Sequence, residues 1–187
     1  MTHSTLTLLR HAKSSWGDRQ QEDHERPLND RGIRDAPEMA ERLLARDSIP
    51  SLILCSSAQR TRETAVYALS VLGEPSPEIH YDNTLYMASA DTLLAALEKV
   101  PDEASHVMLI GHNPGIEQLS AMLQGIAADT MPTASIRQFS CNSISGLRAQ
   151  LPTTDTQKIS ADGPNDANIK LVYSDYPKNT DAQASTG

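Results

Sequence analysis

The chain has 187 residues, is 39% hydrophobic and carries a formal charge of −8, which predicts a globular domain with a substantial core. The negative charge argues against binding to nucleic acid or to an anionic membrane through the bulk surface, so no partner of either kind is expected. No apolar run approaches the ~18 residues of a membrane span, and no basic leader precedes a hydrophobic core, which predicts a cytoplasmic protein.

The first predicted element is a short buried strand that begins near Leu6 and stops abruptly at Arg10-His11. A polar stretch follows through residues 29–30. Because it has no helical or strand period, it is predicted to be a loop lying over the end of that strand. Beyond the loop, apolar positions at helical spacing predict an amphipathic helix over residues 33–46.

The rest of the chain alternates between apolar runs and helical patterns. Strands are predicted at 51–55, 78–81, 106–110, 136–141 and 169–173, and helices at 58–72, 90–100 and 116–123. The composition of 152–168 predicts an exposed loop. The alternation predicts an α/β fold with a mainly parallel central sheet between two layers of helices. We expect one domain over 1–178 and a frayed polar tail at 179–187.

Three of the predicted strands end in residues with matching chemistry. The first ends in Arg10-His11, the second is followed by Arg60, and the third by His112-Asn113. Ligands bind at the carboxyl ends of parallel strands, so these side chains are expected to converge. The set fits a phosphoryl group, because arginines form rigid forks to phosphate oxygens and a neutral histidine can attack phosphorus. Amides at the start of the helix after Asn113 would add donors.

The residue patterns of these motifs resemble those of a known family. An Arg-His pair after an N-terminal strand, the pattern at 57–65 and the late Gly111-His112 look like the histidine phosphatase superfamily, whose fold is phosphoglycerate mutase-like. The stretches 10–16, 26–32 and 111–115 are more narrowly similar to the SixA-type phosphohistidine phosphatases. The resemblance covers residues 5–124, about two thirds of the chain.

The resemblance implies a phosphate-binding set drawn from three strand ends: Arg10, His11, Arg60, His112 and Asn113. In this set His11 would be the phosphorylated nucleophile, and Arg10 and Arg60 would hold the phosphoryl oxygens. His112 would be the second pocket histidine, and Asn113 would add a backbone contact. Three residues of the loop after the first strand would lie at the pocket mouth: Lys13, Ser14 and Trp16. Neither a metal ion nor another cofactor is expected.

The general acid is the role without a clear candidate. Other branches of the superfamily carry a carboxylic acid after the middle of the chain to protonate the leaving oxygen, but the comparable stretch 82–87 has none at the expected place. The remaining acidic candidates are Glu22, Asp23, Glu25 and Asp82. A missing strong acid suits phosphohistidine, because a protonated imidazole departs easily. We therefore expect the substrate to be phosphohistidine on a signalling or transport protein.

Two alternative functions remain open: a phosphatase of a small phosphorylated metabolite, and a non-catalytic module that binds phosphate or a phosphoprotein. A mutase is disfavoured because no insertion is visible that would close the pocket. A cysteine phosphatase is disfavoured because only four residues separate Cys55 from Arg60, one fewer than that phosphate loop requires. A zinc hydrolase is disfavoured because the histidines have arginines rather than carboxylates beside them.

Overall fold

The computed structural model describes residues 3–18, 20–73, 76–152 and 168–177. Most of the predicted loop at 152–168 and all of the predicted tail at 179–187 lie outside the described residues. In the described part of the chain, no helix combines the length and the apolar character that crossing a membrane requires.

One mixed sheet forms the centre of the molecule. Its six strands within the described residues are β1 (Ser4–Arg10), β2 (Leu52–Ser56), β3 (Glu78–Asp82), β4 (His106–Gly111), β5 (Ile136–Cys141) and β6 (Ile169–Asp175). They lie in the order β3-β2-β4-β1-β5-β6. The first four strands in that order are parallel, whereas β5 is antiparallel to β1 and β6 is antiparallel to β5. The prediction of a mainly parallel sheet is confirmed, and β1 lies inside the sheet between β4 and β5.

Helices cover both faces of the sheet. In the described residues they are α1 (Asp30–Leu44), α2 (Gln59–Leu72), α3 (Ala90–Leu97), α4 (Gly115–Gln124) and the single-turn α5 (Leu147–Gln150). Successive side chains of a strand point to opposite faces, so β1 contributes to two cores. Leu9 packs with side chains of α1 and α2, and Leu8 packs with those of α3 and α4. The predicted three-layer α/β fold is therefore confirmed.

The helix ends differ from the predicted ones for local reasons. α1 begins at Asp30, three residues early, because the Asn29 side chain accepts a hydrogen bond from the Gly32 N–H at 3.0 Å and caps the helix. α3 ends at Leu97, short of the predicted residue 100, because the amides of Lys99 and Val100 bond carbonyls three residues back in a tighter winding.

Two glycines allow helices to approach the loops beside the carboxyl edge of the sheet. A Cβ at Gly32 in α1 would lie 2.2 Å from the carbonyl oxygen of Lys13, just after β1. A Cβ at Gly115, the first residue of α4, would lie 1.9 Å from the carbonyl oxygen of Ala88, in the segment between β3 and α3. Both contacts are with rigid backbone, so only glycine fits at these two positions.

We predict that Gly32→Ala and Gly115→Ala each lower the free energy of unfolding by about 2 kcal/mol or more, because the added methyl group forces the backbone apart. The matched control is Gly146→Ala, whose Cβ would lie no closer than 3.6 Å to another atom. Urea denaturation of the three variants measures the difference. If Gly115→Ala is as stable as Gly146→Ala, this explanation of the glycines is wrong.

A buried polar chain crosses β1, β4 and β5 away from the carboxyl edge. The Gln138 amide donates to Thr7 Oγ1 at 3.0 Å and to Ser48 Oγ at 2.7 Å, and Thr7 Oγ1 lies 2.8 Å from His106 Nε2. Burial lowers the pKa of His106 to about 4, against the opposing effect of a hydrogen bond to the Ile49 backbone. The folded protein therefore holds this imidazole neutral at pH values where the unfolded chain would protonate it.

This shift fixes the direction of one pH effect on stability. Between about pH 6.5 and pH 4, His106 is protonated in the unfolded state but neutral in the folded state. The free energy of unfolding therefore decreases as the pH falls from about 6.5 towards about 4. We predict that His106→Gln loses less unfolding free energy than the wild type between pH 7 and pH 4.5 in urea titrations. The exposed His80 provides the control variant, His80→Gln, and equal losses in both variants would contradict the prediction.

Candidate active site

The carboxyl ends of β2, β4 and β1 lie side by side and bring the two motif histidines together. Arg10 pairs with Gly111 in the β1–β4 register, and the His11 N–H continues this pairing by donating to the Gly111 carbonyl at 3.1 Å. The rings of His11 and His112 follow directly, with centroids 5.1 Å apart. Both side chains are buried, with only 8% and 2% of the two residues exposed.

His11 is held in one tautomer. Its Nδ1 lies 2.8 Å from the carbonyl oxygen of Ala12, and because a carbonyl only accepts hydrogen bonds, Nδ1 carries the proton. The Nε2 atom is then left with its lone pair. Burial lowers the pKa of His11 to about 3, with the Ala12 hydrogen bond opposing this effect and the charges of Arg60 and Arg10 adding to it. The ring is thus neutral at physiological pH, with the Nε2 lone pair unprotonated.

His112 also keeps one ring nitrogen available. Its Nε2 lies 2.8 Å from the hydroxyl of Ser56, the last residue of β2. Its Nδ1 is buried and has no hydrogen-bond partner among the described residues. Burial, with His11 and Arg60 adding to its effect and the charge of Asp23 opposing it, lowers the pKa of His112 to about 3.

Arg10 is held by a backbone carbonyl that comes from the later part of the chain. Its Nη1 donates to the carbonyl oxygen of Met131 at 2.6 Å, and its Nε is buried without a partner among the described residues. Burial lowers the pKa of this guanidinium, and the charge of Glu117 partly offsets the effect. Glu117 in turn accepts a hydrogen bond from the Asn113 amide at 2.6 Å.

Arg60 enters the site from the first turn of α2 and is almost fully buried, with 3% exposed. Its Nη1 donates to the Asp23 carbonyl oxygen at 2.5 Å, and its Nη2 donates to Asp23 Oδ2 at 2.9 Å. Asp23 belongs to a 3₁₀ turn, Asp23–Glu25, in the polar loop after β1. The predicted loop therefore does lie over the carboxyl edge of the sheet.

The buried side-chain atoms without a partner are concentrated at this edge. In the described residues there are four: Arg10 Nε, His112 Nδ1, Asn113 Oδ1 and Ser135 Oγ. Ser135 belongs to the same edge, because its carbonyl oxygen accepts the Arg10 N–H at 3.1 Å. Buried polar atoms are rarely left unpaired, so this cluster marks a place where a polar ligand would complete the hydrogen bonding.

The residues predicted to lie at the pocket mouth or to act as the acid differ in their burial and in their contacts. Ser14 is buried, and its hydroxyl accepts a hydrogen bond from Arg26 Nη2 at 2.7 Å. Trp16 is 74% exposed, and the Arg26 guanidinium lies 3.3 Å from its ring centroid. Lys13 and Glu22 are exposed. Asp23 alone among the acidic candidates contacts one of the four predicted catalytic residues.

Tyr86 and His24 also lie beside the two motif residues His112 and Ser57, although the sequence motifs did not predict a place for them at this site. Tyr86 follows β3, and its ring meets His112 edge-on with centroids 5.5 Å apart. His24 meets the other side of Tyr86 at 4.9 Å, and its Nε2 lies 2.9 Å from Ser57 Oγ. A signal for Tyr86 existed, because it lies in the stretch 82–87 where a carboxylic acid was sought.

Cys55 and the possible metal ligands were the residues on which the two rival chemistries depended. Burial raises the pKa of the Cys55 thiol to about 12, so this cysteine is protonated at neutral pH and is a poor nucleophile. No cluster of three or more histidine, cysteine or acidic side chains that could hold a metal ion occurs among the residues that the structure describes.

Comparisons of the sequence place the chain among known relatives. Residues 6–86 match the histidine phosphatase superfamily (branch 1). An uncharacterised chloroplastic protein of Arabidopsis thaliana is 38% identical over 146 residues, which are 73% of this chain and 63% of that protein, so the chain spans less than two thirds of its length. An uncharacterised protein of Mycobacterium tuberculosis is 32% identical over 142 residues, 75% of this chain and 86% of that protein.

Solved structures extend the likeness to nearly the whole fold. SixA of Agrobacterium tumefaciens, described as a phosphohistidine phosphatase, superposes with a TM-score of 0.72 at 26% identity over 93% of this chain and 98% of its own. SixA of Nakamurella multipartitia gives a TM-score of 0.74 at 23% identity over 95% and 98% of the two chains. A mycobacterial glucosyl-3-phosphoglycerate phosphatase gives 0.55 at 21% identity over 74% and 91%. With paired histidines and arginines at one sheet edge, a matching family pattern and relatives of this kind, the chain belongs to the histidine phosphatase superfamily.

Proposed function

We propose that the chain is a phosphatase that carries the phosphoryl group on His11 and that its substrate is phosphohistidine in a protein. The observation that carries the proposal is the state of His11: a neutral ring whose Nδ1–H is bound to the Ala12 carbonyl, leaving the Nε2 lone pair free. Arg10 and Arg60 supply the positive charge that a phosphoryl group needs.

The first step transfers the phosphoryl group to the enzyme. The Nε2 lone pair of His11 forms a bond to phosphorus while the P–N bond of the substrate breaks. The electron pair of that bond returns to the substrate imidazole, which leaves as a neutral ring because its other nitrogen already carries a proton. The Nδ1–H bond to the Ala12 carbonyl stabilises the positive charge that develops on His11.

The second step releases inorganic phosphate. A water molecule attacks phosphorus, the P–Nε2 bond breaks, and its electron pair restores the neutral His11 ring. The proton of the water passes to the solvent. In both steps we assign the equatorial phosphoryl oxygens to Arg10, Arg60 and His112. Arg10 Nε and His112 Nδ1 are two of the buried unpartnered atoms at this edge that could donate to these oxygens, and the charge of Arg60 acts on His11.

The state of Asp23 favours phosphohistidine over an ester. Asp23 accepts hydrogen bonds from Arg26, Arg60 and Tyr86. This carboxylate, the acidic candidate that is hydrogen-bonded to Arg60, is not free to protonate an alkoxide, which a phosphate ester would require. Similarity to SixA-type structures over more than nine tenths of the chain also supports this substrate class.

A small phosphorylated metabolite is the second candidate substrate. It is favoured by the likeness to a mycobacterial glucosyl-3-phosphoglycerate phosphatase, whose structure covers 74% of this chain. A non-catalytic phosphate-binding or phosphoprotein-binding module is the third candidate, and the presence of both histidines and both arginines argues against it.

We predict that His11→Ala lowers turnover of a phosphohistidine protein by at least about 10³-fold, because the nucleophile is removed. The fold should persist, as measured by circular dichroism. His80→Ala, which changes an exposed histidine on β3, should keep wild-type activity. Full activity of His11→Ala would contradict the nucleophile assignment.

A substrate panel separates the three candidate functions. Because Asp23 is ionised and hydrogen-bonded, the wild-type kcat/KM for a phosphohistidine protein should exceed that for an alkyl phosphate by about 10²-fold or more. Equal or faster hydrolysis of alkyl phosphates would favour the metabolite phosphatase. Binding of the phosphoprotein without turnover of any substrate would favour the binding module.

A further inference from the structure

We propose that Asp23 is a positioning residue that holds Arg60 and Tyr86 in place around the phosphate pocket, and that it is not the general acid. The phosphate pocket here is the space bounded by Arg10, His11, Arg60 and His112. This inference rests on the proposed function for the identity of the pocket, but the contacts that carry it are independent of the substrate.

Asp23 accepts two hydrogen bonds from the Arg60 guanidinium. Its backbone carbonyl accepts from Nη1 at 2.5 Å, and its Oδ2 accepts from Nη2 at 2.9 Å. A guanidinium has five N–H donors in one plane, so two acceptors from a single residue fix both the position and the tilt of that plane. The bonds to Asp23 occupy two of these five donors. A phosphoryl oxygen can therefore bind Arg60 without displacing Asp23.

Asp23 is itself anchored from the opposite side. Arg26 Nη1 donates to Asp23 Oδ1 at 2.7 Å, and the remaining donors of Arg26 reach the Ser15 carbonyl at 2.9 Å and Ser14 Oγ at 2.7 Å. Arg26 is buried, with 6% exposed. The polar loop is thus fastened to the segment that follows His11, and the place of Asp23 does not depend on Arg60 alone.

The same carboxylate also orients Tyr86. The Tyr86 hydroxyl donates to Asp23 Oδ2 at 2.7 Å, which sets the ring at 90° to His112 with centroids 5.5 Å apart. One carboxylate therefore joins segments that follow β1, β2 and β3. Each segment borders the phosphate pocket, so a loss of this carboxylate loosens several of its walls together.

These contacts are unsuitable for a proton donor. Both carboxylate oxygens accept hydrogen bonds, two of them from guanidinium groups, and each of these bonds stabilises the ionised form. Burial alone would raise the pKa of Asp23, but the hydrogen bonds from Tyr86 and Arg26 and the charge of Arg60 lower it to about 2. At neutral pH the group carries no proton to give.

The test compares Asp23→Asn and Asp23→Ala with the control Asp18→Asn. Asp18 is an exposed acid of the same loop whose side chain accepts only the Gln20 N–H among the described residues. The first measurement is the Kd for inorganic phosphate by calorimetry, and the second is kcat/KM for aryl phosphates whose leaving groups differ in pKa. Circular dichroism checks the fold of each variant.

We expect Asp23→Ala to weaken phosphate binding by about tenfold or more, with a smaller loss in Asp23→Asn, because a displaced guanidinium no longer fits the phosphoryl oxygens. The loss in kcat/KM should be the same for good and poor leaving groups, and Asp18→Asn should match the wild type. A loss that grows with the pKa of the leaving group would identify Asp23 as the acid and overturn the proposal. Tighter phosphate binding in Asp23→Ala would also overturn it, because Asp23 would then be competing with phosphate for Arg60.

If the Asp23 variants do not fold, Tyr86→Phe provides a second test of the positioning role. It removes one hydrogen bond to Asp23, and phosphate binding should weaken a few-fold, whereas an unchanged Kd would count against the positioning role. The phosphate measurements need no turnover. A wild-type protein that binds phosphate but does not hydrolyse phosphohistidine would therefore contradict the proposed function alone.

Discussion

The carboxyl end of β1 is bonded from both sides, and the candidate site depends on this constraint. The Arg10 N–H donates to the Ser135 carbonyl and the His11 N–H donates to the Gly111 carbonyl, each at 3.1 Å. The Ala134 N–H then returns to the carbonyls of Arg10 and His11, from a residue with a φ of 60°. The end of β4 and the segment that leads into β5 therefore fix the backbone of Arg10 and His11, before any side chain of the site is considered.

The carboxyl edge of the sheet is rich in positive charge, although the chain as a whole is negatively charged. The chain carries a formal charge of −8, yet three arginines, Arg10, Arg26 and Arg60, influence the pKa of His11. Burial and these charges keep His11 neutral, while hydrogen bonds keep Asp23 ionised. The result is a local concentration of positive charge beside a neutral His11 and an ionised, hydrogen-bonded Asp23, which is the arrangement that the proposed binding of a phosphoryl group requires.

The sequence predicted the parts of the structure that depend on local patterns. A buried strand followed at once by charged or imidazole side chains is visible in a few residues, which is why the convergence of Arg10, His11 and His112 could be expected. The roles of Asp23 and Tyr86 could not, because both follow aperiodic or 3₁₀ segments whose course depends on tertiary contacts. The hydrogen bond from Arg10 to the Met131 carbonyl could not be predicted either, because every residue has a backbone carbonyl and the sequence does not show which one Arg10 contacts. The direction of β5 and β6 was also hidden, because a strand pattern does not reveal its orientation.

The most direct test of the account is the position of the phosphoryl group on the trapped enzyme. Rapid quenching at alkaline pH during turnover, followed by ³¹P NMR and peptide mass spectrometry, identifies the modified atom. Because Nδ1 donates to the Ala12 carbonyl, the account predicts acid-labile phosphate on Nε2 of His11. Phosphate on Nδ1, or on any residue other than His11, would contradict it.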